Sequence, residues 1–147
     1  DVLRTENSPT HLQDGMDLVL IAVDMEKMEL QYAGANNPLY VVRNGELHEM
    51  KSDKFAIASF EPDSQSYTEK SFALEEGDTI FASTDGFVDQ FGGPAGKKFM
   101  RRRFRELMIK VAGMPISEHK AELGRVFDSW KASEDQVDDV LVVSIRI

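Results

Sequence analysis

The chain has 147 residues, 41% hydrophobic and 29% charged, which suits one soluble domain that buries roughly two thirds of its unfolded surface. A formal net charge of −9 argues against a nucleic-acid partner, whose phosphates would be repelled. The absence of cysteine excludes disulfides, thiolate metal ligands and a cysteine nucleophile, and no apolar run approaches the roughly 18 residues of a membrane helix.

Residues 1–14 (DVLRTENSPTHLQD) are polar and turn-rich and read as a loose N-terminal segment. The chain opens on Asp1 rather than Met, so the expectation is a piece of a longer protein. MDLVLIAVD, from Met16, is an apolar run of strand length, and a turn at Glu26-Lys27 returns it as MELQYAGA. Pro38 opens LYVVR, which Asn44-Gly45 separates from ELHEM. Asn-Gly is a strong hairpin signal because both turn residues must accept φ > 0. Two successive hairpins predict an antiparallel meander. Residues 51–65 are irregular, SYTEKSFAL alternates as a strand, and Glu75-Glu76-Gly77-Asp78 turns the chain into TIFAS. Gly92-Gly93-Pro94-Ala95-Gly96 reads as a flexible surface loop. From Lys98 the period becomes helical, with Met100, Phe104, Leu107, Met108 and Val111 as the inner stripe and Gly113 and Pro115 as the stop. A second helix opens at Ser117 and carries Leu123, Val126, Phe127 and Trp130 on one face. VLVVSIRI then closes the chain as a strand buried on both faces. Strands, two helices and a last strand make an α+β layered domain.

Acid is concentrated at two strand ends. TIFASTDGFVDQFGG leaves a strand through Thr84-Asp85-Gly86, with Asp89 four positions after Asp85. Thr84 or Asp85 has the chemistry of a helix cap, and Asp85 equally that of a cation ligand. DQVDDVLVVSIRI sets Asp135, Asp138 and Asp139 just before the last strand, where adjacent like charges repel unless something neutralises them. A solvated acidic turn is the plain alternative. A hard divalent cation is the simplest neutraliser, since Mg²⁺ and Mn²⁺ prefer carboxylate and water oxygens.

TDGFVDQFGG, the later GKKF and DQVDDVLVV together resemble the SpoIIE-like branch of the PPM-type, metal-dependent protein serine/threonine phosphatases. YAGANNPLYVVRNGEL is similar to the family's alanine-glycine turn and hairpin, and LEEGDTIFASTDG to its Gly-Asp, apolar strand, Asp-Gly run. The resemblance runs from Asp14 to Ile147 in the family's order. It implies a layered β-sandwich with flanking helices, with residues 15–147 as the C-terminal portion of the domain, lacking its N-terminal strands and first helix. It implies that Asp85 ligates the metal centre and that Asp138 ligates the same ion, with Asp139 as the alternative one register on. Asp89 would be an accessory or outer-sphere ligand, and Gly86 would allow the close turn that brings Asp85 to the metal.

For the whole domain the resemblance implies hydrolysis of phosphoserine or phosphothreonine with two Mn²⁺ or Mg²⁺ ions and no protein nucleophile. The implied substrate is a phosphorylated regulatory protein of the anti-anti-sigma type in bacterial sigma-factor signalling. A cytoplasmic location and an upstream sensor domain are the matching expectations. There are departures. The family's Asp-x-x-Gly-His-Gly-like stretch has no match, and His11, His48 and His119 read as surface histidines. Ala35 stands for a residue often His, Phe55-Ala56-Ile57-Ala58 for a Pro-(Leu/Ile)-Gly turn, and Leu141 for a common Thr. The expectation is therefore weak Mn²⁺ binding and negligible phosphatase activity from this chain alone. A non-catalytic, phosphatase-like binding module is the alternative. An unrelated phosphohydrolase with an aspartyl nucleophile fits less well, because Asp14-Gly15-Met16-Asp17 lacks the Asp-x-Asp spacing.

The basic residues of GKKFMRRRFRELMIK read as a solvated helix face, or as a docking patch for substrate phosphate through Arg101, Arg102, Arg103 or Arg105. Phe127 and Trp130 read as core. Phe91 and Phe99 flank a glycine loop that either covers the site or crosses the surface. Apolar strand surface left uncovered predicts self-association into a homo-oligomer.

Overall fold

LVLIAVD and ELQYAGA form β1 (Leu18–Asp24) and β2 (Glu29–Ala35), antiparallel and in register from Leu18 opposite Ala35 to Asp24 opposite Glu29. Asp24 closes their turn, its Oδ1 accepting from the N–H groups of Glu26 and Lys27 at 3.0 and 2.9 Å. β3 (Leu39–Arg43) and β4 (Glu46–Met50) are joined by Asn44 at φ 50° and Gly45 at φ 80°, the left-handed pair that a two-residue hairpin requires. Next come β5 (Lys70–Ala73), β6 (Thr79–Ser83) and a single helical turn, α1 (Gly86–Asp89). β7 (Phe91–Gly92) and β8 (Lys97–Lys98) make a short hairpin before α2 (Met100–Ala112), α3 (Ile116–Lys131) and β9 (Val142–Arg146). This computed structural model describes residues 15–57 and 66–147, so the expectations for residues 1–14, His11 and Ala58 lie outside the described residues.

The two hairpins do not make one meander. β1, β2 and β5 form a three-stranded sheet, while β4, β3, β6 and β9 form a second, in that order. The chain crosses between them where Asn36 adopts φ 60° and Pro38 offers no ladder N–H. The Tyr32 hydroxyl pins the crossing by donating to the Asn37 carbonyl at 2.7 Å.

The sheets stack face to face around Leu30, Tyr32, Leu39, Val41, Met50, Leu74 and Ile80, with Val19, Ile21, Phe72 and Ile145 packed against them. The other face of the second sheet, through Tyr40, Val42 and Phe81, packs on Phe104, Leu107, Met108 and Val111 of α2 and on Leu123 and Phe127 of α3. β3 and β6 are therefore buried on both faces, which is why LYVVR and TIFAS read as near-continuous apolar runs. The result is sheet, sheet and helices: a layered α+β sandwich with helices on one side.

Several expectations change. β9 pairs only with β6, at the sheet edge, and Val143 is 41% exposed, so this strand is not buried on both faces among the described residues. Met100 leaves the inner stripe of α2 and is 55% exposed. The glycine loop is an ordered hairpin. Gly92 and Gly93 press against Trp130, whose carbonyl accepts from the Gly93 N–H at 2.9 Å, while a Cβ at Gly92 would meet that oxygen at 1.9 Å. Phe99 is buried core, with its ring 5.3 Å from Trp130, whereas Phe91 lies exposed beside Lys98. His119 is not a surface residue. It is 2% exposed, with Nδ1 2.6 Å from the Ser144 hydroxyl and Nε2 3.1 Å from the Met114 carbonyl.

Candidate metal centre

Where β6 ends, Thr84 and Asp85 turn the chain into α1, and the Asp89 N–H donates to the Asp85 carbonyl at 3.0 Å. Asp85 occupies the N-cap position, but its side chain makes no capping hydrogen bond and is exposed. The cap reading therefore does not account for it.

Thr84 does not cap the turn either; it reaches across to the other acidic corner. Its N–H donates to the Leu141 carbonyl at 3.1 Å, and its hydroxyl donates to the Asp139 carbonyl at 2.9 Å. The same hydroxyl accepts from the Leu141 N–H at 3.0 Å. Gly86 completes the join: a Cβ there would sit 2.4 Å from the Asp139 carbonyl oxygen. Glycine is thus required by close approach of the two corners rather than by a left-handed turn. Residues 55 apart in the chain are fastened side by side.

The C-terminal corner is also ordered from within. The Asp138 Oδ1 accepts from the Asp139 N–H at 2.7 Å, and the Asp138 carbonyl accepts from the Gln136 amide at 2.8 Å. Gln90, fully buried just past α1, donates to the Asp135 carbonyl at 2.9 Å and the Phe91 carbonyl at 3.0 Å. Phe87 anchors α1 itself, its ring 5.1 Å from Phe99, 5.0 Å from Phe104 and 5.1 Å from Phe127. The turn carrying Asp85 is bolted to the helix layer.

Asp89 is partnered elsewhere, with its carboxylate 3.1 Å from the Lys98 ammonium. Serving as an accessory ligand would require it to leave Lys98. Hard carboxylate oxygens at exposed corners fit Mg²⁺ or Mn²⁺, which are bound through one or two carboxylates and retain several waters. Among the described residues no group of three or more His, Cys, Asp or Glu side chains converges. The donor type fits a divalent ion, while the donor number does not close a shell of protein ligands.

The basic run divides. Arg102 pairs with Glu106, Arg103 stacks on Trp130, Arg105 bonds Glu49, and Arg101 lines a small cleft that Asp85 also lines. A separate cavity of about 630 Å³ lies between α3 and β9, lined by Leu123, Phe127, His119 and Ser144, and it includes neither Asp85 nor Asp138 nor Asp139. Sequence reasoning missed Thr84 as a clamp, Gln90 as a strut and His119 as core. Only His119 left a signal, four residues before Leu123 on the inner helical face.

The family described as Stage II sporulation protein E (SpoIIE) matches residues 3–147. No curated protein sequence matches the chain. Among solved structures, the SiaA-PP2C domain of Pseudomonas aeruginosa aligns with a TM-score of 0.82 at 32% identity, over 89% of this chain and 51% of its own. The PP2C phosphatase domain of SpoIIE from Bacillus subtilis, with a fragment of its regulatory domain, aligns with a TM-score of 0.70 at 18% identity, over 89% and 37%. The RsbU and RsbW domains of Rv1364c from Mycobacterium tuberculosis give a TM-score of 0.69 at 19% identity, over 88% and 35%. The chain thus spans about half the SiaA-PP2C structure or less of the others, and the last two likenesses concern the fold alone. With the family match running over nearly its whole length, the chain belongs to the SpoIIE family of PP2C-type (PPM) phosphatase domains.

Proposed function

We propose that Asp85 and Asp138, with Asp139 as the alternative to Asp138, hold a Mn²⁺ or Mg²⁺ ion on the joined acidic corners, with Asp89 as an accessory ligand from α1. The observation that carries this reading is the Thr84 clamp, which with Gly86 holds two separate aspartate-bearing turns on one surface. When bound, such an ion supplies the charge that activates water and balances phosphoryl oxygens. The chain's own residues do the positioning: Thr84 and Gly86 keep the corners apposed, Gln90 ties α1 to the acidic turn, and Phe87 fixes α1 to the core.

The reaction that follows is hydrolysis of phosphoserine or phosphothreonine on a regulatory protein. Membership of the SpoIIE family supports a substrate of the anti-anti-sigma type in sigma-factor signalling, with a cytoplasmic site of action and an upstream sensor domain. A complete centre in this reading holds two ions. Among the described residues too few carboxylates converge for that, so we expect weak binding and negligible turnover from this chain alone. The same shortage favours a second reading, a phosphatase-like module that binds a phosphoprotein without cleaving it.

Calorimetric titration of Mn²⁺ separates these readings. The metal-centre reading expects saturable binding that Asp85→Asn weakens by about tenfold or more, about 1.4 kcal/mol. Absence of saturable binding, or equal affinity in Asp85→Asn, overturns it. Hydrolysis of a phosphoserine protein by this chain at ordinary enzymatic rates would refute the expectation of negligible turnover.

A further inference from the structure

The four arginines at the head of α2 are not equivalent. The Arg102 Nε lies 3.1 Å from Glu106, and Arg105 bonds Glu49. Arg103 lies 4.7 Å above the Trp130 ring and donates to the Phe99 carbonyl at 3.2 Å. Each of these three fastens α2 to itself or to a neighbour. Arg101 is exposed and makes no ion pair and no ring stacking among the described residues, its charge facing only the Tyr40 hydroxyl. With Tyr40, Ser83, Thr84 and Asp85 it lines a small cleft with room for about one water, so a phosphoryl group would sit at its mouth, and among the described lining residues Arg101 is the one basic side chain.

Its position has a conformational cost. Met100, the residue before it, holds φ 74°, a left-handed conformation that costs a non-glycine residue of order 1–3 kcal/mol. Burial offsets little of this, because Met100 is 55% exposed. Substrate chemistry gives the arginine a task. A phosphoryl dianion approaching exposed aspartates on a chain of net charge −9 is repelled, and an ion held by carboxylates offsets only part of that field. A guanidinium offers two parallel donors to phosphoryl oxygens, and Arg102, Arg103 and Arg105 are already engaged.

We propose that Arg101 is the specificity residue of this site, its guanidinium binding the phosphoryl oxygens of a phosphoserine or phosphothreonine side chain presented at the Asp85 corner. The assignment rests on reading Asp85 as a metal ligand. The test is calorimetry on the Mg²⁺-saturated chain, with inorganic phosphate and a phosphoserine peptide as probes. The proteins compared are wild type, Arg101→Gln, Arg101→Lys and Arg102→Gln, each also titrated with Mg²⁺. We expect Arg101→Gln to weaken both probes by about tenfold or more, Arg101→Lys to recover part of the loss, and Arg102→Gln to stay within about twofold. Mg²⁺ affinity should not fall in Arg101→Gln, since losing a nearby positive charge cannot weaken a cation site. Normal Mg²⁺ binding with phosphate affinity unchanged in Arg101→Gln, or with no phosphate binding by the wild type, overturns the role of Arg101 alone. A wild type that binds no Mg²⁺ overturns the metal-centre reading and this assignment with it.

Discussion

At the scale of single residues, Thr84 is what joins the two aspartate-bearing corners. Thr84→Val removes the hydroxyl that donates to Asp139 and accepts from Leu141, leaving a carbonyl and an N–H without their partner. Denaturant unfolding should show a loss of about 1–3 kcal/mol, and Mn²⁺ affinity should fall because the corners separate, with Thr84→Ser restoring both. Gly86→Ala drives a methyl into the Asp139 carbonyl and should cost about 1–3 kcal/mol in the same measurement. An Mn²⁺ affinity unchanged in Thr84→Val would show that the clamp does not hold the site together. That aspartates stand at the ends of two strands was legible in the sequence, because the apolar runs stop at them. The clamp was not, since a hydrogen bond between residues 55 apart leaves no local period or motif.

At the scale of elements, the turn before β6 carries a buried charge. Asp78 is almost fully buried and accepts from Arg43 Nε at 2.9 Å, Arg43 Nη2 at 2.7 Å and the Glu75 N–H at 2.8 Å. Burial pushes its carboxyl pKa up, but the Arg43 guanidinium and the Glu75 N–H together outweigh that and hold it below the ordinary 3.8. Asp78→Asn should therefore cost about 3 kcal/mol, read by thermal or denaturant unfolding, because it leaves Arg43 facing an uncharged amide. Glu122, between Arg125 and Lys110, is drawn down from 4.5 to about 2, chiefly by its hydrogen bonds to Arg125 and then to Lys110. A lowered folded-state value means stabilisation that is complete above pH 4.5 and lost as pH falls toward 2. Acid titration of Glu122→Gln should show a shallower loss of stability across that window, and an identical acid profile would dismiss the contribution. Hairpins and helices were readable because Asn44-Gly45 and the 3.6-residue stripe are local signals. The β7–β8 hairpin was not, since Gly92 and Gly93 make sense only once Trp130, on a later helix, is present against them.

At the scale of the whole molecule, the order of layers followed from the run of strands and helices, but the partition of strands between two sheets did not. Alternation tells a strand that it has two faces; it does not say which strand lies beside it. β9 read as doubly buried from the apolar run VLVVSIRI; in the structure Val142 and Ser144 face the helices and Ile145 joins the core between the sheets, yet its outer edge has no partner among the described residues. That edge, with exposed Leu141 and Val143 beside it, is the place where the expected self-association should occur. Sedimentation velocity over a concentration series should show association in the wild type, and Val143→Lys should suppress it. Monomeric behaviour at high concentration would remove the idea.

The hairpin docked on Trp130 has a further consequence. Trp130 is the chain's one tryptophan, and its indole N–H donates at 3.0 Å to the Gln90 carbonyl, one residue beyond α1, which Asp85 precedes. The protein therefore carries an intrinsic optical reporter wired to the acidic corner. If a cation binds at the proposed site, Trp130 emission is expected to change as it is titrated, and emission unchanged at saturating Mg²⁺ would show that the indole does not sense that corner.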